Sequence, residues 1–255
     1  VTATILVQIA KALKYVEFPD FDSAVALQWL PVNVFFVGML CSGFFSLMYA
    51  NVAMVQVFKN LTNIVTVSGD AYFFGEQLGV LVFIAILVMT IGAYFAAKND
   101  LEFNVTGYIW MSLNCLLTAG YVLYMRFAST NIKLPKFGMV FYNNLLCSLL
   151  LIPFVFLFDE VPMWSHPEIM NRQFIFMNIL AGVLGFFLNF ASLWCVSETS
   201  ASTYAISGSL CKIPVTVLGV VLFNTPITEK GVTFISMAIF GGLIYGYAKL
   251  PTSKR

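Results

Sequence analysis

The sequence predicts an all-α polytopic membrane protein, a bundle of about nine spans. Three observations predict it. The composition is 60% hydrophobic and only 10% charged, where soluble domains run near ~45–50% and ~25%. The apolar residues, 26 Phe among them, come in runs of roughly 20, the length a helix needs to cross ~30 Å of hydrocarbon. The polar breaks between runs carry positive charge unequally, alternating from one side to the other.

The runs follow one another with little ambiguity. Residues 2–10 are apolar and stop at Lys11 and Lys14, like the second half of a span. The chain has no initiator Met and begins inside this run, so a fragment, or a gene model missing its front, is expected. A polar stretch, 15–28, contains Glu17, Asp20 and Asp22. Spans are then predicted at 29–49, 51–75, 79–97, 107–125, 137–158, 173–196, 202–223 and 230–248. With a cytoplasmic C-terminus, one side holds Lys11, Lys14, Arg126, Lys133, Lys136, Lys249, Lys254 and Arg255. The other side holds Lys98, Arg172 and Lys230, and Lys59 and Lys212 stay within the membrane.

Several function classes drop out. A net charge of +1 gives no footing for nucleic acid. The single His, His166, lies in a polar loop beside a Pro, so neither a metal site nor a cofactor nor His-dependent catalysis is expected. Cys41, Cys115, Cys147, Cys195 and Cys211 all lie in apolar runs without CxxC spacing, and read as small hydrophobes. No acid pair or nucleophile–base set is apparent. Asn104-Val105-Thr106 is an acceptor triplet for a glycan, of a kind common by chance.

The two membrane lysines are the sharpest feature. A buried ammonium costs at least ~2.5–3.5 kcal/mol on insertion scales and is tolerated where it faces a polar cavity or an anion. Lys59 lies in the third run and Lys212 in the eighth, on helices of opposite sense. Ser46-Leu47 and Ser192-Leu193 precede them in matching places, the pattern of two inverted half-repeats, 1–97 and 107–250. Two cations converging from two halves suit a pyrophosphate. The alternative is that each lysine snorkels, or pairs with Asp70 or Glu198. Asp70 is eleven residues from Lys59, too far along one helix for a direct pair.

Buried amides and hydroxyls form the second set. Phe141-Tyr142-Asn143-Asn144 opens the span after the basic loop. Amides in a membrane helix need partners. Their paired donors and acceptors suit the edge of guanine, and Tyr142 or Phe141 could stack on a base. Helix capping and interhelical hydrogen bonds would also explain them. Asn189, in the 173–196 run, is either a base contact or interhelical glue. Tyr204, Gly208 and Lys212 fall on one helical stripe; they suit a phosphate–sugar ligand, or Tyr204 is an interfacial belt residue. Ser46, Asn63, Asn114 and Ser192 are weaker members of this class.

These residues resemble the nucleotide-sugar transporters of the drug/metabolite transporter superfamily, and within it the Golgi GDP-mannose transporters of fungi and plants. The resemblance runs through the whole chain, from the family's second span to its tenth. It is carried by Phe58-Lys59-Asn60-Leu61-Thr62-Asn63, by Gly107 to Met111, by Phe141 to Asn144 and by Tyr204 to Pro214. It implies guanine binding by Tyr142, Asn143, Asn144 and Asn189. It implies sugar binding by Tyr204, Gly208, Ser209 and Cys211, and phosphate binding by Lys59 and Lys212. Cys211 departs from the family's Asn, and a thiol is a poor substitute in hydrogen bonding, so the sugar is less determined than the base. The expected activity is antiport of a GDP-sugar against GMP, from cytosol to Golgi lumen, by alternating access. GDP-fucose transport, carriage of another phosphorylated metabolite, or a scaffold without transport are the rival readings. Expected partners are the GDP-sugar, GMP and membrane lipids, with a homodimer as an option.

Overall fold

In hydrocarbon every backbone N–H and C=O has to be bonded within its own segment, so uninterrupted apolar runs become helices. The computed structural model describes residues 2–75, 79–132, 134–157, 171–198, 201–222 and 228–248, and the regular elements within them are all α-helices. Nine helices appear in order: α1 (Thr2–Ala12), α2 (Ser23–Tyr49), α3 (Val52–Phe74), α4 (Val80–Lys98), α5 (Val105–Asn131), α6 (Lys136–Leu157), α7 (Arg172–Glu198), α8 (Ala201–Leu222) and α9 (Glu229–Ala248). His166 lies outside the described residues. Cys41, Cys115 and Cys147 are not in disulfides; the side chains of Cys195 and Cys211 lie outside the description.

Among the described residues, five helices are long and apolar enough to cross a membrane: α2, α4, most of α5, α6 and α9. The described parts of α7 and α8 add two shorter apolar segments, Arg172–Leu188 and Lys212–Leu222. Helix α3 has the length, 23 residues, but is broken by Gln56, Lys59, Asn60, Thr62, Asn63, Thr66, Ser68 and Asp70. Its apolar residues Met54 and Val57 and its polar residues Asn60 and Thr62 are buried together. A helix this polar is stable inside a membrane protein only where other helices shield it from lipid.

Helix boundaries reflect capping more than hydropathy. Helix α2 starts at Ser23, six residues before the apolar run, because the Asp22 carboxylate accepts the Ala24 N–H at 2.8 Å. Asn51 caps α3 through its side-chain oxygen and the Met54 N–H, 2.9 Å. Gly75 ends that helix at φ +67°, a conformation a side chain would strain. Asn104 caps α5 by accepting from Thr106 N–H at 2.9 Å and Gly107 N–H at 3.3 Å.

The chain forms two compact units. The first comprises residues 1–37 and 124–197, and the second 38–123 and 198–255. In the second, α3, α4, α5 and α9 share a core of Met54, Val57, Ala93, Met111, Ile235 and Ala238. Small residues allow the close approach of α4 and α9: a Cβ on Gly92 would stand 2.6 Å from the Ala238 nitrogen, and one on Gly241 would stand 2.9 Å from the Met89 nitrogen. Asn114 bridges α5 to α2, donating to the Met39 carbonyl at 2.7 Å and the Ser42 hydroxyl at 3.1 Å. Asn114 is therefore interhelical glue. In the first unit, residues 172–181 of α7 are exposed along their whole length, including Phe174, Phe176 and Met177. Apolar surface of that kind is at home against acyl chains and out of place in water.

Candidate functional site

The second unit gathers its polar side chains around Lys212. Lys59 and Asn60 are consecutive on α3, so their side chains point about 100° apart. Lys59 is exposed, whereas Asn60 is 1% exposed. The half-buried Lys212 of α8 donates its Nζ to Asn60 Oδ1 at 2.7 Å. Asn60 in turn donates Nδ2 to the Ala238 carbonyl of α9 at 3.3 Å. The Lys59 ammonium lies close enough to Lys212 for the two charges to repel each other. Cys115 of α5 and Thr62 of α3, both buried, complete this side. The thiol donates to the Phe58 carbonyl at 2.9 Å.

Two cations thus stand near one another, and the bond made by Lys212 goes to a neutral amide. Among the described residues neither Lys59 nor Lys212 is paired with a carboxylate; the ion pair found there is Lys11–Asp20, in the other unit. A cluster with unbalanced positive charge, partly desolvated, attracts an anion with more than one negative oxygen.

The first unit presents amides. Tyr142, Asn143 and Asn144 lie in the second and third turns of α6, which already begins at Lys136 after Pro135. They therefore stand in the body of the helix, where capping is no longer open to them. Asn144 donates Nδ2 back to the Val140 carbonyl at 2.8 Å. Asn143 Oδ1 is buried and has no hydrogen-bond partner among the described residues. Tyr142 is 1% exposed and engaged by the segment before α2. Its hydroxyl accepts the Asp22 N–H at 2.8 Å, and Phe21 stacks on its ring at 5.7 Å between centroids. Phe18 packs on Phe141 at 5.3 Å. Thr4 Oγ1, Trp29 Nε1 and Asn33 Oδ1 are the other buried polar atoms without partners, all in this same unit.

Helix α8 runs unbroken through Tyr204, Gly208, Ser209, Cys211 and Lys212, so 204, 208 and 212 share a stripe as the spacing predicts. The side chains of Tyr204, Ser209 and Cys211 lie outside the described residues, as does that of Asn189 on α7. Lys59 and Lys212 are brought together within one unit. Asn60 was not singled out from sequence, although an amide beside a membrane lysine was a visible signal. Gly242 was invisible there: a Cβ on it would meet Asn60 Oδ1 at 2.9 Å, so it leaves the space the amide fills.

A model of the Triose-phosphate Transporter family matches residues 1–246. A GDP-mannose transporter of Arabidopsis thaliana is 39% identical over 230 residues, covering 87% of this chain and 69% of that protein. A second transporter of that description from the same plant is 36% identical over 247 residues, 92% of this chain and 65% of the relative. The GDP-mannose transporter of Aspergillus fumigatus is 30% identical over 276 residues, 100% of this chain and 72% of the relative.

Proposed function

We propose that this chain, which belongs to the Triose-phosphate Transporter family, carries a GDP-sugar across a membrane, with GDP-mannose as the first candidate. The observation that carries this reading is the Lys59–Lys212 pair, two cations in one unit with no carboxylate partner among the described residues. A nucleoside diphosphate supplies the missing negative charge. The similarity to plant and fungal GDP-mannose transporters supports guanine as the base. The unpaired acceptor on Asn143 suits the N1 and N2 donors of guanine. In this reading Asn143 and Asn144 hold the base, with Tyr142 anchoring their helix, and Asn189 adds a contact. Tyr204, Gly208, Ser209 and Cys211 face the sugar.

Transport proceeds by exchange with GMP, the halves 1–97 and 107–250 alternately exposing a midplane site. The membrane is that of the Golgi, with the C-terminus cytoplasmic. Thermal unfolding of the full-length protein in GMP, UMP, AMP and CMP tests the base, because a ligand that binds only the folded state raises its stability. GMP alone should stabilise. Equal stabilisation by all four would favour a carrier of phosphorylated metabolites, and none at all a scaffold. Asn144→Ala should abolish GDP-mannose uptake into liposomes loaded with GMP, and normal uptake would remove the base assignment.

A further inference from the structure

The Lys212 ammonium is held by a side chain that no part of the functional reading has used. Asn60 is 1% exposed, and its amide is doubly engaged, accepting from Lys212 Nζ at 2.7 Å and donating to the Ala238 carbonyl at 3.3 Å. Its place against α9 is kept open by Gly242. A Cβ there would lie 2.9 Å from Asn60 Oδ1, 3.3 Å from Cγ and 3.5 Å from Nδ2, and those three atoms of Asn60 are the nearest it would meet. Even one methyl group at 242 would therefore press on the oxygen that receives the Lys212 bond. Without that bond the ammonium has a flexible four-carbon stem and a neighbouring cation, Lys59, to turn away from.

We infer that Asn60 is a positioning residue that fixes the Lys212 ammonium for a phosphate, and that Gly242 is bare because Asn60 occupies the space a side chain would take. This rests on the reading of Lys212 as a phosphate ligand. A neutral amide suits the task. It orients the ammonium through one hydrogen bond and leaves the positive charge and the other two donors to the incoming anion. A carboxylate in its place would neutralise the charge and compete with the ligand.

The test measures binding of GMP and of guanosine to the full-length protein, in wild type, Asn60→Ala, Asn60→Asp, Gly242→Ala, the double variant Asn60→Ala/Gly242→Ala, and Lys212→Met. Asn60→Ala and Gly242→Ala should each weaken GMP about tenfold, the scale of a lost hydrogen bond to a charged group, and leave guanosine unchanged. The double variant should be no weaker than Asn60→Ala, since the three nearest atoms the methyl at 242 would meet are then gone. Asn60→Asp, close to isosteric, should weaken GMP more than Asn60→Ala does. Wild-type GMP affinity in Asn60→Ala, or additive losses in the double variant, with Lys212→Met impaired, would overturn the inference. Equal losses for GMP and guanosine would reduce Asn60 to a purely structural role and overturn it likewise. Wild-type GMP affinity in Lys212→Met would instead remove the phosphate reading on which the inference stands.

Discussion

The two compact units handle polar groups in opposite ways. Around Lys212 in the second unit Asn60, Cys115 and Thr216 have partners on another helix or on their own backbone, and what is left over is positive charge. In the first unit the surplus is hydrogen-bonding capacity. Among the described residues, all four buried polar atoms without partners are there: Thr4 Oγ1, Trp29 Nε1, Asn33 Oδ1 and Asn143 Oδ1. Unbalanced charge is strong and indifferent to the shape of its counter-ion. An unpaired donor or acceptor is weaker but discriminates, because a ligand lacking the complementary group leaves it unpaired, at about 1–3 kcal/mol. Under the proposed reading this is a division of labour: the surplus charge of the second unit suits a phosphate, and the spare hydrogen-bonding capacity of the first suits the choice of a base.

Lys212→Met is the strongest way to break that division. It should lower GDP-mannose uptake about 100-fold, the upper scale for charge-assisted contacts, and leave guanosine binding unchanged. Loss of guanosine binding as well would merge the two roles. Next comes Asn143→Ala. It should weaken GMP and guanosine by the same factor, about tenfold, and should leave the ligand-free protein as stable as wild type or more so, because it deletes an acceptor that had no partner. A drop in the ligand-free melting temperature would mean that Asn143 is structural. Tyr142→Phe is smaller again. It leaves the Asp22 N–H without its 2.8 Å acceptor and should cost about 1 kcal/mol in unfolding free energy. Its effect on GMP should be less than that of Asn143→Ala, and a larger one would move the hydroxyl from anchoring to recognition.

Much of this arrangement was legible from residue type and spacing. A lysine in an apolar run has few tolerable surroundings, so Lys59 and Lys212 stand out from the sequence alone. The all-helical bundle followed from run length. The Lys212–Asn60 bond was not legible: its partners are 152 residues apart, and whether Lys59 or Asn60 meets Lys212 depends on the rotation of α3 against α8. That rotation is set by packing, including the space left by Gly242. The start of α2 was missed for a different reason. Hydropathy reports where lipid begins, whereas Asp22 caps the helix six residues earlier. Helix α3 read as a span like its neighbours; that its Gln56, Asn60 and Thr62 are buried among other side chains was not legible from the run itself.

The exposed ion pair of the first unit sets the lower end of the scale. Lys11 Nζ contacts Asp20 Oδ1 at 2.7 Å and sits 4.4 Å from the centre of the Phe18 ring. The hydrogen bond from Lys11, with its charge, holds the Asp20 carboxyl below its ordinary value. A carboxyl that binds its proton less readily when folded stabilises the folded state above the ordinary carboxylate value, and that contribution fades as pH falls through the folded value. Asp20 is fully exposed, so solvent screens the pair and its contribution is small. Thermal unfolding of Asp20→Asn against wild type should show a slight deficit near neutral pH that closes toward pH ~3 and shrinks in high salt. Transport should be unaffected, since this ammonium already has a counter-ion. A large loss of uptake in Asp20→Asn would mean that charge outside the Lys59–Lys212 pair also handles the substrate, and the division between the units would then be drawn in the wrong place.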